Sequence, residues 1–272
     1  MNSEVEKKIN ISAIVVGRNE AEKLRICLAT LYFCDEILYA DLDSVDDSIA
    51  VASELNCKVF HYTTFGPSCE YAQSDLIHKV KNDWVIMLDP DEALTEELQQ
   101  QIVRELPSIA KDPNIGDVYV PWQFYFGNTR LKGTVWGYEK YKGILVHKGK
   151  YEIKPVTHYG RKLKDGFTSY QIAKQGNNVL DHFWMDNMTS FIKKHKKYLK
   201  DEGQDRYNMG QRITILGVVY NFFYQFFRCY VLAKGYKDGL TGLFLSLFWN
   251  WYSFVSNISL YRIAIKLRKN EN

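Results

Sequence analysis

The amino-acid sequence predicts an α/β fold with a mostly parallel sheet and a helical extension at its C-terminal end. Three observations carry this. Short apolar, β-branched runs stop at acidic turns, each run is followed by a segment with helical apolar spacing, and from Asp186 onward long aromatic helical patterns replace the strand signals.

The first run is Ser12-Ala13-Ile14-Val15-Val16-Gly17, ending at Arg18-Asn19-Glu20. Leu24, Cys27, Leu28 and Leu31 then fall at i, i+3, i+4 and i+7, one apolar face of a helix. The second run, Glu36-Ile37-Leu38-Tyr39-Ala40, ends at Asp41-Leu42-Asp43-Ser44-Val45-Asp46-Asp47. Ser44 reads as the N-cap of the next helix, with Asp47 three residues on as a variant of the capping box. A strand at Lys58–Tyr62, a helix within 68–79 and a strand at Trp84–Leu88 repeat the unit. Repeated βα units imply a parallel sheet covered on both faces, with ligands beyond the carboxyl ends of its strands. Glu20, Asp41, Asp43, Asp46, Asp89 and Asp91 should therefore gather along one rim.

Asp89-Pro90-Asp91-Glu92 follows directly on the apolar run Trp84-Val85-Ile86-Met87-Leu88. Two carboxylates at this spacing can bind a divalent cation together with the diphosphate of a nucleotide, although an isolated pair of this kind is more often simply acids at a helix start, and it is the two earlier acidic strand ends that favour the site. Acids crowded on one edge repel unless a cation joins them, so a metal at the last pair is the simplest relief. The earlier acids suit base N–H groups or ribose hydroxyls. Neither G-x-G-x-x-G after the first strand nor G-x-x-x-x-G-K-[ST] occurs, which argues against a dinucleotide oxidoreductase and a P-loop enzyme.

Ile14-Val15-Val16-Gly17-Arg18-Asn19-Glu20, Cys34-Asp35-Glu36-Ile37 leading to Asp41 and Asp46, and Asn82 through Glu92 together resemble the nucleotide-sugar half of family 2 glycosyltransferases. Within that family the chain is similar to the branch of lipopolysaccharide-core β-glucosyltransferases. The motifs cover about the first third of the chain. The resemblance implies a GT-A fold, which is Rossmann-like, a nucleotide-sugar donor, expected to be a UDP-sugar, a divalent Mn²⁺ or Mg²⁺, and inversion at the anomeric carbon. It further implies that Glu20 and Asp41 lie around the nucleoside, that Asp46 closes the second-strand loop, that Asp91 is the direct metal ligand, and that Asp89 lies nearer the sugar or ribose while also a metal candidate. One departure is Asp43, which stands where the family usually has Gly, a residue free to adopt positive φ.

Transfer to a hydroxyl needs a base for the acceptor proton and stabilisation of the departing diphosphate. Related transferases carry a His-Glu pair that aligns with His158-Tyr159, so His158 is the candidate base although Tyr159 replaces the acid. Glu139 and Glu152 are alternatives. His182, in Leu180-Asp181-His182-Phe183, matches a recurring family position before a long helix, with a metal or diphosphate contact or a packing role open to it.

The chain has 272 residues, 35 basic against 32 acidic groups, and five cysteines without a C-x-x-C. This balance gives no support for nucleic-acid binding, and the cysteine usage points to a reducing cytosol. Residues 1–10 carry no apolar signal segment, so the expected site of action is the cytoplasm, on the inner face of the cell membrane.

The expected organisation is residues 1–185 as the nucleotide-sugar and acceptor domain and residues 186–272 as a helical region. In residues 117–185, aromatic side chains can stack on sugars or form core. The apolar stretches Ile213–Ala233 and Leu240–Ile265 are interrupted by polar residues and charges. They suit peripheral contact in a membrane interface, or packing in a homo-oligomer, better than spanning. The functional expectation is a glycosyltransferase acting on a glycan or lipid-linked acceptor in surface polysaccharide or lipopolysaccharide synthesis. The alternatives are a polyprenyl-phosphate glycosyl synthase, a non-catalytic nucleotide-sugar-binding scaffold and, more weakly, a nucleotidyltransferase.

Overall fold

The computed structural model describes residues 9–63, 69–154 and 161–270. By packing, the chain divides into two units, Met1–Gln123 with Lys140–His182 and Phe124–Glu139 with Phe183–Asn272. The segment Phe124–Glu139 thus goes with the C-terminal helices, whereas the sequence reading draws a single boundary after residue 185.

The first unit opens with alternating strands and helices: β1 (Ile9–Gly17), α1 (Ala21–Ala29), β2 (Cys34–Asp41), α2 (Ser48–Glu54), β3 (Lys58–His61), α3 (Glu70–Leu76), β4 (Trp84–Leu88), β5 (Glu92–Leu94) and α4 (Glu96–Ile109). The long β6 (Ile115–Phe126) leads to β7 (Thr129–Arg130) and the short α5 (Thr134–Gly137), both in the second unit. The chain then returns through β8 (Lys140–His147), β9 (Tyr151–Ile153), β10 (Arg161–Leu163), β11 (Thr168–Gln171) and β12 (Leu180–Met185). The main sheet has the order β3-β2-β1-β4-β8-β6-β12-β5. It is parallel from β3 to β4 and turns antiparallel where β8 joins β4.

Side-chain alternation along the central strands supplies both faces of this sheet. Ile11, Ala13 and Val15 of β1, with Trp84, Ile86 and Leu88 of β4, pack with Leu24, Leu28, Leu98 and Ile102 of α1 and α4. Ile14, Val16, Val85 and Met87 face the other way, onto Ala72 and Leu76 of α3. The predicted α1 face is buried in full, with Leu24, Cys27, Leu28 and Leu31 each at most 2% exposed.

The second helix starts at Ser48 with Asp47 as N-cap, so Ser44 does not cap it. Ser44 lies in the preceding loop, where its hydroxyl accepts from the Asn19 N–H at 3.0 Å. The stretch after Trp136 contains β8, a strand between β4 and β6 that has no clear strand pattern in the sequence. Its alternation is disguised because the polar Lys140 and Lys142 hold strand positions and Gly143 lies against the Tyr119 ring, which a Cβ would meet at 3.2 Å.

The second unit continues with α6 (Met188–Tyr198), α7 (Glu202–Asn208), α8 (Ile215–Phe226), a π-helical turn at Phe227–Leu232, a 3₁₀ turn at Gly235–Asp238 and the 32-residue α9 (Gly239–Asn270). Fully buried Phe191 centres its aromatic core, with the Phe248 ring at 4.3 Å and Trp184 at 5.3 Å. Trp136, one of the aromatics that could have stacked on a sugar, is stacked on Trp184 at 5.0 Å instead.

Candidate active site

The acidic turns meet because their strands are neighbours in register. Gly17 pairs with Asp41 across β1 and β2, and Val15 pairs with Leu88 across β1 and β4, so three parallel strands end at one edge. The approach is close enough to require glycine. A Cβ on Gly17 would lie 2.5 Å from Pro90 Cγ and 3.5 Å from the Tyr39 hydroxyl. The loop after β1, the loop after β2 and Asp89–Glu92 are thereby brought side by side, as the βα pattern requires.

The first two loops are tied to each other by their own polar groups. Asn19 adopts φ 56° and its side-chain oxygen accepts from the Val45 N–H at 2.7 Å. Asp46 accepts from the Ala21 N–H at 3.0 Å through one oxygen and from the Ser48 hydroxyl at 2.6 Å through the other. What burial it has works the other way, but these hydrogen bonds hold Asp46 below the usual carboxylate range. Glu20 precedes α1 immediately and its N–H donates to the Ser48 hydroxyl at 3.3 Å. Asp43, in the place of the family's glycine, adopts φ 61°, the conformation that glycine would supply.

Asp41 is fully buried and sits behind a histidine. Its Oδ2 accepts from the Ser44 N–H at 3.1 Å and lies 2.9 Å from Nδ1 of His61, a side chain 46% exposed. His61 Nε2 is 3.9 Å from the Asp43 carboxylate. Of the Asp41–His61 pair, it is the histidine that faces outward.

At the end of β4 the acids carry their own counter-cation. Lys142 of β8 places Nζ 2.8 Å from Asp89 Oδ2 and 2.7 Å from both oxygens of Glu92, and 5.3 Å from the centre of the Trp122 ring. The Asp89 N–H also donates to Glu92 Oε2 at 3.1 Å. Burial alone would raise Asp89 and lower Lys142, but the ion pair outweighs it. Lys142 holds Asp89 well below the usual carboxylate range, and the two carboxylates push the ammonium up. Glu92, with no exposed side-chain surface, is raised by its burial despite the same lysine.

Asp91 faces a different partner. His182 of β12 sets Nε2 3.3 Å from Asp91 Oδ2, and β12 is fixed there because His182 pairs with Glu92 of β5 in antiparallel register. The Trp122 ring stacks on His182 at 5.1 Å with an interplanar angle of 12°. One carboxylate oxygen and one imidazole nitrogen at this separation form a donor set that fits a divalent cation with room for further oxygen ligands. No group of three such side chains assembles among the described residues, and Asp89 is engaged by Lys142 rather than by that pair.

Of the site residues expected from the sequence, Glu20, Asp41, Asp46, Asp89, Asp91 and His182 all lie in the first unit, and the structure pairs Asp91 with His182. His158 lies outside the described residues. Sequence reasoning passed over His61, Trp122, Lys142 and Glu92. Glu92 had a local signal, being a buried strand residue three places after Asp89. Lys142 had none, because its partners are about fifty residues away.

No family model matches the chain. It is 21% identical over 289 residues to an uncharacterized glycosyltransferase of Rickettsia felis, covering 96% of this chain and 92% of that protein. It is 24% identical over 273 residues to the lipopolysaccharide core biosynthesis glycosyltransferase LpsC of Rhizobium meliloti, covering 97% and 96%. Among solved structures, glucosyl-3-phosphoglycerate synthase from Mycobacterium tuberculosis in complex with Mn²⁺, uridine diphosphate and glucosyl-3-phosphoglycerate aligns with a TM-score of 0.43 at 13% identity, over 68% of this chain and 75% of that one. With its motifs on one edge of a parallel βα sheet and its similarity to named glycosyltransferases running nearly end to end, the chain is a glycosyltransferase whose motifs resemble those of family 2.

Proposed function

We propose that this glycosyltransferase moves a sugar, with inversion, from a UDP-sugar to a glycan or lipid-linked acceptor in lipopolysaccharide or surface polysaccharide synthesis, at the cytoplasmic side of the cell membrane. The observation that carries the proposal is the pairing of Asp91 with His182 beside the Lys142-bridged carboxylates Asp89 and Glu92, at the carboxyl edge of β4. Similarity over nearly the whole chain, at 24% identity, to a lipopolysaccharide core biosynthesis glycosyltransferase supports the acceptor class.

In this reading Asp91 and His182 hold a Mn²⁺ or Mg²⁺, which supplies positive charge to the diphosphate. Lys142 keeps Asp89 ionised and fixed in orientation, so that Asp89 accepts from a hydroxyl of the donor sugar or ribose. Glu20 and Asp46 shape the nucleoside end, and His61, backed by Asp41, presents a ring nitrogen there. The acceptor hydroxyl attacks the anomeric carbon opposite the departing group. The new C–O bond forms as the old one breaks, the electron pair leaves on the diphosphate oxygen, and the hydroxyl proton passes to His158.

A panel of nucleotide-sugars, screened by thermal stabilisation with and without Mn²⁺, tests the donor half. A stabilising donor is then offered to truncated lipopolysaccharide and to polyprenyl phosphate. Transfer to the saccharide is expected. Transfer to the phosphate lipid alone would select the polyprenyl-phosphate synthase reading, and binding without any transfer would select the scaffold.

A further inference from the structure

The second unit bears an apolar helix face that its own packing leaves bare. Across Ile215–Leu232, 18 residues that cover α8 and the π-helical turn, only 11% is buried. Leu216, Val219, Tyr220, Phe223, Phe227 and Val231 recur at helical spacing and are each between 43% and 78% exposed. The opposite side of α8 is taken up by α9. Val218 is buried, the Phe222 and Phe254 rings are 5.3 Å apart, and Trp249 Nε1 donates to Gln225 at 3.0 Å. Contiguous apolar surface on this scale marks an interaction site.

The charge around this face is one-sided. From Arg206 to Asn270 there are nine basic residues and a single acid, Asp238. That acid is consumed internally, accepting from the Lys132 and Gly133 N–H groups at 2.6 and 2.8 Å. Arg212 precedes the apolar stripe, Arg228 lies within its last turn, and Lys234 and Lys237 follow it, all exposed. The helix is an apolar band with cationic ends, and from Arg206 to Asn270 no carboxylate other than the internally bonded Asp238 accompanies it.

The same contacts disfavour insertion of α8 across a bilayer. Both of its flanks are fastened to α9. Before it, Arg206 donates to Ser256 at 2.6 Å and to Asn257 at 3.1 Å. After it, a Cβ on Gly242 would lie 1.9 Å from the Gly235 carbonyl oxygen. A crossing would have to carry α9 along, with buried Ser246, Asn250, Ser256 and Asn257 and the guanidinium of Arg206.

We propose that this face of α8 docks on an anionic lipid surface, lying in the plane of the leaflet with its stripe at the headgroup–acyl boundary and its basic ends on acidic headgroups. This sharpens the peripheral contact expected from sequence into a defined face and a defined lipid charge. It does not depend on the donor chemistry proposed above, because the test reads partitioning and not turnover.

The full chain is sedimented with vesicles of phosphatidylcholine alone and with vesicles containing phosphatidylglycerol, at low and high salt. Binding to the anionic vesicles at least tenfold stronger than to the neutral ones, weakened by salt, is expected. Each basic residue near the surface contributes roughly fivefold. L216E/F223E should abolish binding, and K234Q/K237Q, which leaves the stripe intact, should weaken it about tenfold or more on anionic vesicles alone. Equal binding to both vesicle types, or unchanged binding of both variants, would overturn the proposal. So would a dimer in solution that L216E/F223E converts to monomer, which would assign the face to a second copy of the chain. Resistance of membrane-bound protein to alkaline carbonate extraction would likewise overturn it in favour of spanning.

Discussion

Lys142 places its ammonium 2.7 Å from both oxygens of Glu92, whose side chain has no exposed surface. A buried carboxylate is tolerated when a cation is fixed against it, and removing that cation leaves an uncompensated charge. Lys142→Met should therefore lower unfolding stability by about 3–5 kcal/mol, as measured by urea titration. Adding Glu92→Gln should recover part of the loss. Additive effects of the two substitutions would show that the pair is not coupled.

The same ion pair sets a pH dependence. Lys142 depresses the pKa of Asp89, and a depressed carboxylate contributes stability that is present above its unfolded value of about 3.9 and is lost as pH falls through the folded value. Glu92 has the opposite sign, because burial raises it and protonation relieves that cost. The stability difference between wild type and Lys142→Met should therefore be largest near neutrality and shrink as pH falls from 6 to 3. A difference that stays constant over that range would mean that Lys142 acts by packing alone.

Asp91→Ala and His182→Ala should each remove Mn²⁺-dependent stabilisation by the nucleotide-sugar while shifting the melting temperature of the free protein by only a few degrees. Asp91 and His182 keep side-chain exposures of 20% and 12%, so neither is an isolated buried charge when its partner is lost. Retention of the metal-dependent shift in both variants would exclude the pair as ligands.

Asp43 offers a test of backbone conformation. At φ 61° a β-branched residue is strained by about 1–2 kcal/mol, whereas glycine is not. Asp43→Gly should match or exceed the wild type in thermal stability, and Asp43→Val should fall at least about 1 kcal/mol below Asp43→Gly. Equal stability of the two variants would mean that the loop rearranges.

The parallel half of the fold was legible because its signals are local. The runs at Ile14, Leu38 and Val85 are continuous and apolar because those strands are covered on both faces, and each stops where its turn begins. The edge formed by Gly17, Asp41 and Asp89 follows from strand direction alone. β8 was not legible, because its lysines and its glycine face partners that only the folded chain supplies. Ser44 was misread as a cap because a hydroxyl before a helix carries the same signal whether it serves the helix or a neighbouring loop.

Sequence by itself determined which acids could share a rim, since periodicity dictates strand direction and strand direction dictates which ends coincide. Tertiary structure decided what each acid does there. Asp41 lies behind His61, Asp46 ties two loops together, Asp89 and Glu92 are bridged by Lys142, and Asp91 faces His182. The physical reason is range. Backbone patterning is set by neighbours within a few residues, whereas the charge that a carboxylate meets comes from strands far along the chain, brought within 3.5 Å only when the sheet closes.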